Sequence, residues 1–465
     1  MSRPGFVYSV EAMWPRHVPR AGTSRRPGAA AVAASLIALL IACRSQPRDV
    51  EGLVRAALER RSWQATSVLV VDRGRVLADV GHRTPPERDP QDLVYPLGSI
   101  AKMFTAAALH KLCERGEVAL GARVAEYLPD WPPSWAAVRV HQLLGHTSGI
   151  PDFWFVPEAA ALAGNPAARA SDLARVMARF PLEFEPGTRF SYSNTAYQAA
   201  ARIIERRTGL PYDAYLAREF FTPMGMTSMR HCRGDAGEMA GHVLRDGEAV
   251  AVPHENYETA RGDGGLCGSA RDLARWFQAI ASGAIAKGDS WDTYAAPQRL
   301  PDGTSVPYGH GISLRPLGAH RKLGHHGAMA GHSGMVAWYP ARDLIVVVLT
   351  SVGGVSADAV EQAIAAALLG IEAPRPIEGR PPSLHAGRYD VGPFVVSVEA
   401  REDGLWLESP FPGPSGRLAR MGPVSYALDG DPWGVALHFE CAPDGCPAIR
   451  LHMAGMEWPG QRIGP

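Results

Sequence analysis

Lysine is nearly missing from this chain. Four of its 47 basic residues are lysines (Lys102, Lys111, Lys287 and Lys322) and the others are arginines. Because 47 acidic residues face those 47 positive charges, the formal net charge is zero, and nothing in the balance steers the molecule toward nucleic acid or another polyanion. An apolar run long enough to cross a membrane is missing near the N-terminus as well. The stretch from Ala29 to Ala42 has the length of a signal h-region, short of the roughly 20 apolar residues that a spanning helix needs. What the chain does have is size: 465 residues, 46% apolar and 20% charged, enough for two or three packed domains.

Residues 1–43 read as a targeting segment rather than as fold. Arg16, Arg20, Arg25 and Arg26 precede the apolar run, which is the order of an export signal. Met13 is a second possible start, and the twin arginines allow twin-arginine export, although Pro27-Gly28-Ala29 is a poor continuation. The run ends in Leu40-Ile41-Ala42-Cys43, which resembles the lipobox of bacterial lipoproteins. That resemblance implies lipidation at Cys43 and an exported protein anchored to a membrane, facing the periplasm or the cell exterior. A plain cleaved signal with an incidental cysteine is the alternative. Export makes the other cysteines a disulfide question. Cys441 and Cys446 bracket a turn-forming Pro443-Asp444-Gly445 and can close a small hairpin. Cys232 and Cys267 are available to pair, and Cys113, on the apolar side of a helix, is expected as a buried free thiol.

The scarcity of lysine makes one position informative. In Ser99-Ile100-Ala101-Lys102 the serine and lysine stand three apart at the start of a helix expected over about 99–115, so they share a face. A serine hydroxyl needs a base within hydrogen-bond reach to become a nucleophile. Arginine keeps its proton in proteins, whereas a desolvated lysine gives it up. A chain that uses arginine almost everywhere and lysine here is choosing the side chain that can act as a base. The competing reading is a helix cap followed by a surface lysine.

Around this turn the pattern is mixed. Val50 to Arg61 reads as a helix, and Ser67 to Val71 with Val76 to Val80 as a hairpin turning at Asp72-Arg73-Gly74. From about 120 to 260 the periodicity is helical: Val138 to Gly145, Ser171 to Phe180, Thr195 to Thr208 and Tyr212 to Phe221. A capped helix from Ser269 to Ser282 follows, then strands at Met335 to Tyr339 and Leu344 to Thr350, and a closing helix from Ala357 to Leu369. Strands at both ends with helices between predict an α/β (α+β) domain over 50–370: an antiparallel sheet flanked by helices, with an all-α insertion at about 120–260. A Pro-rich linker at 371–386 leads to residues 387–465, whose short β-type runs between Gly and Pro turns predict a small all-β, barrel-like domain.

Two further stretches suit a serine acyl-transfer site. Tyr192-Ser193-Asn194 precedes a helix, where a phenol can relay protons and an amide can hold a substrate carbonyl. Gly324-His325-His326-Gly327-Ala328-Met329-Ala330-Gly331-His332 precedes the apolar strands. There Gly327 lets a substrate backbone approach an edge strand, and the Ala328 N–H can share an oxyanion hole with the Ser99 N–H. A metal cluster of His325, His326, His332 and His310 is the competing reading. Neighbouring strand residues point to opposite faces, and no carboxylate stands at ligand spacing, so no metal or other cofactor is expected.

Ser99-Ile-Ala-Lys102, Tyr192-Ser-Asn194 and His325-His-Gly327, in that order, resemble the three motifs of the serine β-lactamase and penicillin-binding protein superfamily. The class C β-lactamase-related branch, with its D,D-carboxypeptidases, D-aminopeptidases and esterases, is the best match. Leu143-Leu-Gly-His-Thr-Ser-Gly-Ile-Pro151, the stretch from Tyr192 through Gly225-Met226, and Gly264-Gly265-Leu266 with Ser269 to Leu273 support it. The resemblance implies Ser99 as the acylated nucleophile, Lys102 as its proton partner and Tyr192 as proton shuttle to the leaving group. It also implies Asn194, His325 and Gly327 as substrate-binding positions. The expected activity is hydrolysis of an ester or a D-amino-acid amide or peptide through an acyl-enzyme, with small molecules, peptides or cell-wall fragments as partners. β-Lactamases of this branch usually carry lysine where His325 stands, which makes β-lactam hydrolysis the second expectation; a receptor acylated without turnover is a third.

The anchor is directly testable. Two or more acyl chains on Cys43 give stable membrane attachment, so Cys43→Ser is expected to move the protein out of the membrane fraction. A normally processed mutant that still sediments with membranes contradicts lipidation.

Overall fold

The computed structural model describes residues 49–465 except 60–62, 84–88, 90–91, 246–247, 286–288, 354, 356, 372–381, 392–394, 403, 409–415, 421–423, 429–435, 443–444, 454–455 and 465. The segment expected to direct export, with Cys43, and most of the Pro-rich linker lie outside the described residues. Among the described residues no helix is long and apolar enough to cross a membrane.

A five-stranded antiparallel sheet is the frame. Helix α1 (Val50–Glu59) precedes strands β1 (Thr66–Asp72) and β2 (Arg75–His82). The hairpin between them turns at Arg73 and Gly74, both at positive φ (52° and 73°), as a tight two-residue turn between twisted strands requires. The other three strands come from the far end of the domain: β3 (Leu323–Met329), β4 (His332–Tyr339) and β5 (Leu344–Thr350). The sheet order is β3-β4-β5-β1-β2, so β5 is central and β3 is an edge.

Strand alternation divides the interior into two cores. In the register Val68 lies opposite Val348, which lies opposite Met335. These three, with Val70, Val346 and Ala337, face helix α1 and the closing helix α5 (Ala357–Leu369). Their chain neighbours Leu69, Val71, Ile345, Val347, Leu349, Val336 and Trp338 face the opposite core. There the sheet meets α2 (Ala101–Glu114) and α4 (Ala270–Ala281), with α3 (Asn194–Thr208) beyond. Burial from both sides is why β5 reads as an unbroken apolar run, with all seven of its residues buried.

Helix α2 lies in the middle of the larger core. Eleven of its fourteen residues are buried, Lys102 among them, the pattern of a helix enclosed on all sides. It starts after a 3-10 turn, Gly98–Ile100, so Ser99 stands on that turn rather than inside the α-helix expected from 99. Cys113 near the end of α2 is a free, half-buried thiol, and burial pushes it up to about 11.

The region at about 120–260 is mainly helical, with Val140–Leu144, Pro157–Ala163, Ala170–Met177, α3 and Tyr212–Leu216. It also carries strand Arg230–His231 and a hairpin, His242–Arg245 with Glu248–Ala251. These strands are two to four residues long, below the length at which alternation stands out in sequence. Arg230–His231 pairs with Leu266–Gly268, which in turn pairs with Tyr95–Pro96 just before Ser99. A Cys232–Cys267 disulfide closes this small sheet.

Residues 387–464 form a closed eight-stranded barrel, its last strand returning to pair with its first. Alternate residues fill it, among them Tyr389, Val396, Val398, Leu405, Leu407, Phe439 and Ile449. A Cys441–Cys446 disulfide closes one of its hairpins.

Candidate active site

Close backbone approach brings two of the three motifs together. At Gly98 (φ +52°) a β-carbon would stand 2.5 Å from the Ala328 carbonyl oxygen, and at Gly327 one would stand 1.9 Å from the Leu97 oxygen. Both positions therefore need glycine. Edge strand β3 consequently lies against the turn that carries Ser99, with the Ala328 backbone beside it.

From that turn Lys102 reaches back across one helical step. Its Nζ is 3.0 Å from Ser99 Oγ, 2.7 Å from Asn194 Oδ1 and 2.8 Å from the Asp263 carbonyl oxygen. An ammonium has three donors and no acceptor, and here all three are used. The side chain is fully buried. Burial pulls its pKa down to about 8, against the pull of Asp263 and Asp152, whose charges favour the ammonium. A lysine in this position is a base within reach of the Ser99 proton near neutral pH.

Asn194 is the first residue of α3, whose N-cap Ser193 accepts a hydrogen bond from the Ala196 N–H. Its amide bridges two opposite charges. Oδ1 accepts from Lys102, while Nδ2 donates to Asp152 Oδ2 at 2.8 Å and the Asn194 backbone N–H donates to the same oxygen at 2.7 Å. As an ammonium Lys102 only donates, which sets the amide with Oδ1 toward Lys102 and Nδ2 toward Asp152. Asp152 Oδ1 accepts from the Trp154 N–H at 2.9 Å; burial raises this carboxyl despite its three N–H donors.

Tyr192 completes the cluster. Its ring lies 4.9 Å from Lys102 Nζ, and its phenol hydrogen-bonds Ser99. Burial lifts that phenol well above its ordinary range, so it rests protonated and can pass a proton on. His146 stacks on the ring with centroids 4.0 Å apart. It adopts a left-handed backbone (φ 56°), and its Nδ1 accepts from the Ser193 N–H at 3.1 Å.

His325 projects from β3 toward the same cluster. Its Nδ1 faces the His326 carbonyl oxygen at 2.6 Å and its Nε2 the Tyr308 hydroxyl at 2.8 Å. A carbonyl only accepts, so Nδ1 carries the proton and Tyr308 donates to Nε2. Burial, with Lys102 second, pushes this imidazole down to about 3. His325 is therefore neutral at physiological pH. The other histidines diverge: His332 faces the Ala330 and Met239 carbonyls, and His310 contacts His110. His326 lies near Ser333 on the opposite face of the strand. The four rings have separate partners and do not converge on a common point.

The structure thus gathers Ser99, Lys102, Tyr192, Asn194, His325, Gly327 and Ala328 at one place. It adds four residues that the sequence reading did not single out. Asp152 stands one position beyond the Leu143 to Pro151 segment, and Asp263 directly before Gly264-Gly265; both were in view as neighbours of a motif. His146 lay inside such a segment without a role. Tyr308 carries no local signal.

A family model for β-lactamase matches residues 50–371. The chain belongs to the β-lactamase family. It is 30% identical over 300 residues to a D-aminopeptidase of Brucella anthropi, covering 61% of this chain and 55% of that one. Against a D-aminopeptidase of Cereibacter sphaeroides it is 28% identical over 381 residues, 81% of this chain and 66% of the relative. The chain therefore spans between about half and two thirds of the length of these curated relatives. In fold it is similar to the octameric penicillin-binding protein homologue from Pyrococcus abyssi (TM-score 0.62, 22% identity, 89% of this chain and 99% of that one). It is also similar to the D-amino acid amidase from Ochrobactrum anthropi SV3 complexed with L-phenylalanine amide (TM-score 0.59, 22% identity, 69% and 98%).

Replacing Lys102 tests whether this geometry supplies a base. Lys102→Arg keeps a cation but removes the form able to accept a proton. Acylation of Ser99 is expected to fall about 100-fold or more, approaching Ser99→Ala. Retention of more than about a tenth of wild-type turnover would move the role to Tyr192.

Proposed function

We propose that this protein is a serine hydrolase that cleaves D-amino-acid amides or short peptides, and related esters, through an acyl-enzyme on Ser99. The observation that carries the proposal is the buried Lys102 amine 3.0 Å from the Ser99 hydroxyl, with the Tyr192 phenol on the same oxygen. In acylation the Ser99 proton passes to the Lys102 amine while Oγ bonds to the substrate carbonyl carbon. The Ser99 and Ala328 N–H groups receive the oxyanion. Tyr192 relays the proton to the departing amine or alcohol, and water then hydrolyses the ester. The Asn194 amide has a second N–H, beyond the one given to Asp152, with which to hold a substrate carbonyl. The names of the relatives, D-aminopeptidase and D-amino acid amidase, support the amide-type substrate and its D configuration.

β-Lactam hydrolysis is the second reading, and His325 weighs against it. A ring carboxylate needs a fixed cation, whereas this imidazole is neutral and holds the Tyr308 hydroxyl. A module that only binds wall fragments would have no use for a buried base and a phenol placed together on one serine oxygen. A receptor acylated without turnover would need the same base for acylation, and release of more than one product per protein separates it from a hydrolase. Export and a lipid anchor at Cys43 belong to the proposal on the sequence alone.

The test is a substrate panel: D-alanine p-nitroanilide, its L-isomer, p-nitrophenyl acetate and a chromogenic cephalosporin. Turnover of the D-anilide above the L-isomer and the cephalosporin is expected. His325→Lys should then favour the cephalosporin over the neutral ester by about tenfold, near 1.4 kcal/mol for one added ion pair. Equal effects on both substrates would show that position 325 does not read substrate charge.

A further inference from the structure

The buried charges around Lys102 do not balance. Groups face it from every side: Tyr192 from the turn before α3, Tyr197 from α3, His146 and Asp152 from the loop after Val140–Leu144, His325 from β3, and Asp263 from the turn before Leu266–Gly268. Burial keeps both phenols protonated and both imidazoles neutral. The groups left to carry charge are one amine and two carboxyls, Asp152 and Asp263. An unmatched charge is costly in a buried interior, and the group least supported by hydrogen bonds gives up its charge first.

The two carboxyls differ in that support. Asp152 accepts three N–H donors. The Asp263 carboxyl is held by the Gln198 amide, and its Oδ1 has no partner among the described residues although it is buried. The turn carrying Asp263 is fastened to α2 twice, by Thr105 Oγ1 donating to the Gly262 oxygen at 2.6 Å and by Lys102 donating to the Asp263 oxygen at 2.8 Å. At Gly262 (φ +91°) a β-carbon would stand 2.5 Å from the Tyr197 oxygen. The backbone of Asp263 is therefore fixed against the amine, and its buried carboxyl acts on the Lys102 charge.

We propose that Asp263 is a positioning residue for acylation, a buried carboxyl whose charge determines the pH at which Lys102 becomes a free amine. Ionised, it stabilises the ammonium; protonated, it releases the amine to take the Ser99 proton. The proposal rests on the reading of Ser99 as the acylated nucleophile. Removing the negative charge destabilises the ammonium, so Lys102 loses its proton at lower pH. Acylation requires the free amine, so its acid limb moves to lower pH as well.

The probe is p-nitrophenyl acetate, which carries no charge: Ser99 Oγ bonds to the acetyl carbon, p-nitrophenolate leaves, and the serine proton goes to Lys102. The acetyl group is located by peptide mass and the rate is followed against pH. Asp263→Asn is expected to move the acid limb down by about one unit, the lower end of what a nearby opposite charge contributes. Gln198→Met, which removes the hydrogen bond favouring the ionised carboxyl, should move it the same way by less while leaving residue 263 unchanged. Limbs that stay in place or move upward in variants melting like the wild type would overturn the proposal. A wild-type protein that never carries acetyl on Ser99 would instead overturn the reading of the site on which it rests.

Discussion

A fully buried cation is the constraint on which this site depends. Lys102 lies on a helix buried on all sides, and a buried ammonium needs an acceptor for each of its three protons. The Ser99 hydroxyl, the Asn194 amide and the Asp263 carbonyl are those acceptors. Asn194 is oriented by Asp152, and the Asp263 turn is held through Thr105. The Ser99 turn rests against β3 because glycines occupy the contact. The Ser99 turn, the start of α3 and the Asp263 turn each supply one of its partners, and the burial that makes the amine a usable base comes from the same packing.

The edge position of β3 gives this arrangement its outlet. Among the described residues the far side of that strand is met by a single antiparallel bridge, Gly324 with Ser313, and the strand presents Gly327 and Ala328 beside the serine. His325, on the same strand, brings a neutral ring fixed by Tyr308 where a fixed cation would select carboxylates. Activation and substrate choice thus come from two surfaces that meet at Ser99. One holds the charge; the other, on β3, carries none.

Much of this was legible in the sequence, in proportion to how local each signal is. The i, i+3 spacing of Ser99 and Lys102 is set by backbone geometry alone, and the lysine stood out against an arginine-rich background. Short β-type runs on either side of the Asp72-Arg73-Gly74 turn gave β1 and β2, the unbroken apolar run gave β5, and Ser269 marked the start of α4. Short β-runs punctuated by Gly and Pro announced the barrel. The four residues not singled out act across long separations: Asp152 on Asn194, Asp263 on Lys102, Tyr308 on His325 and His146 on Tyr192. Their importance lies in being buried beside a charge or a ring, which no single stretch of sequence displays. The 3-10 turn under Ser99 was hidden for a related reason, since it follows from the close packing of Leu97 and Gly98 against β3 rather than from local propensity.

The scarcity of lysine makes the central claim open to direct measurement. In protein labelled with 15N-lysine, the four Nζ signals can be followed against pH and Lys102 assigned as the one lost in Lys102→Arg. The Lys102 amine should titrate near 8, whereas an ordinary lysine titrates near 10.4. A Lys102 signal that titrates with ordinary lysines would mean that the amine is protonated at working pH, and the account of Lys102 as the base for Ser99 would be wrong.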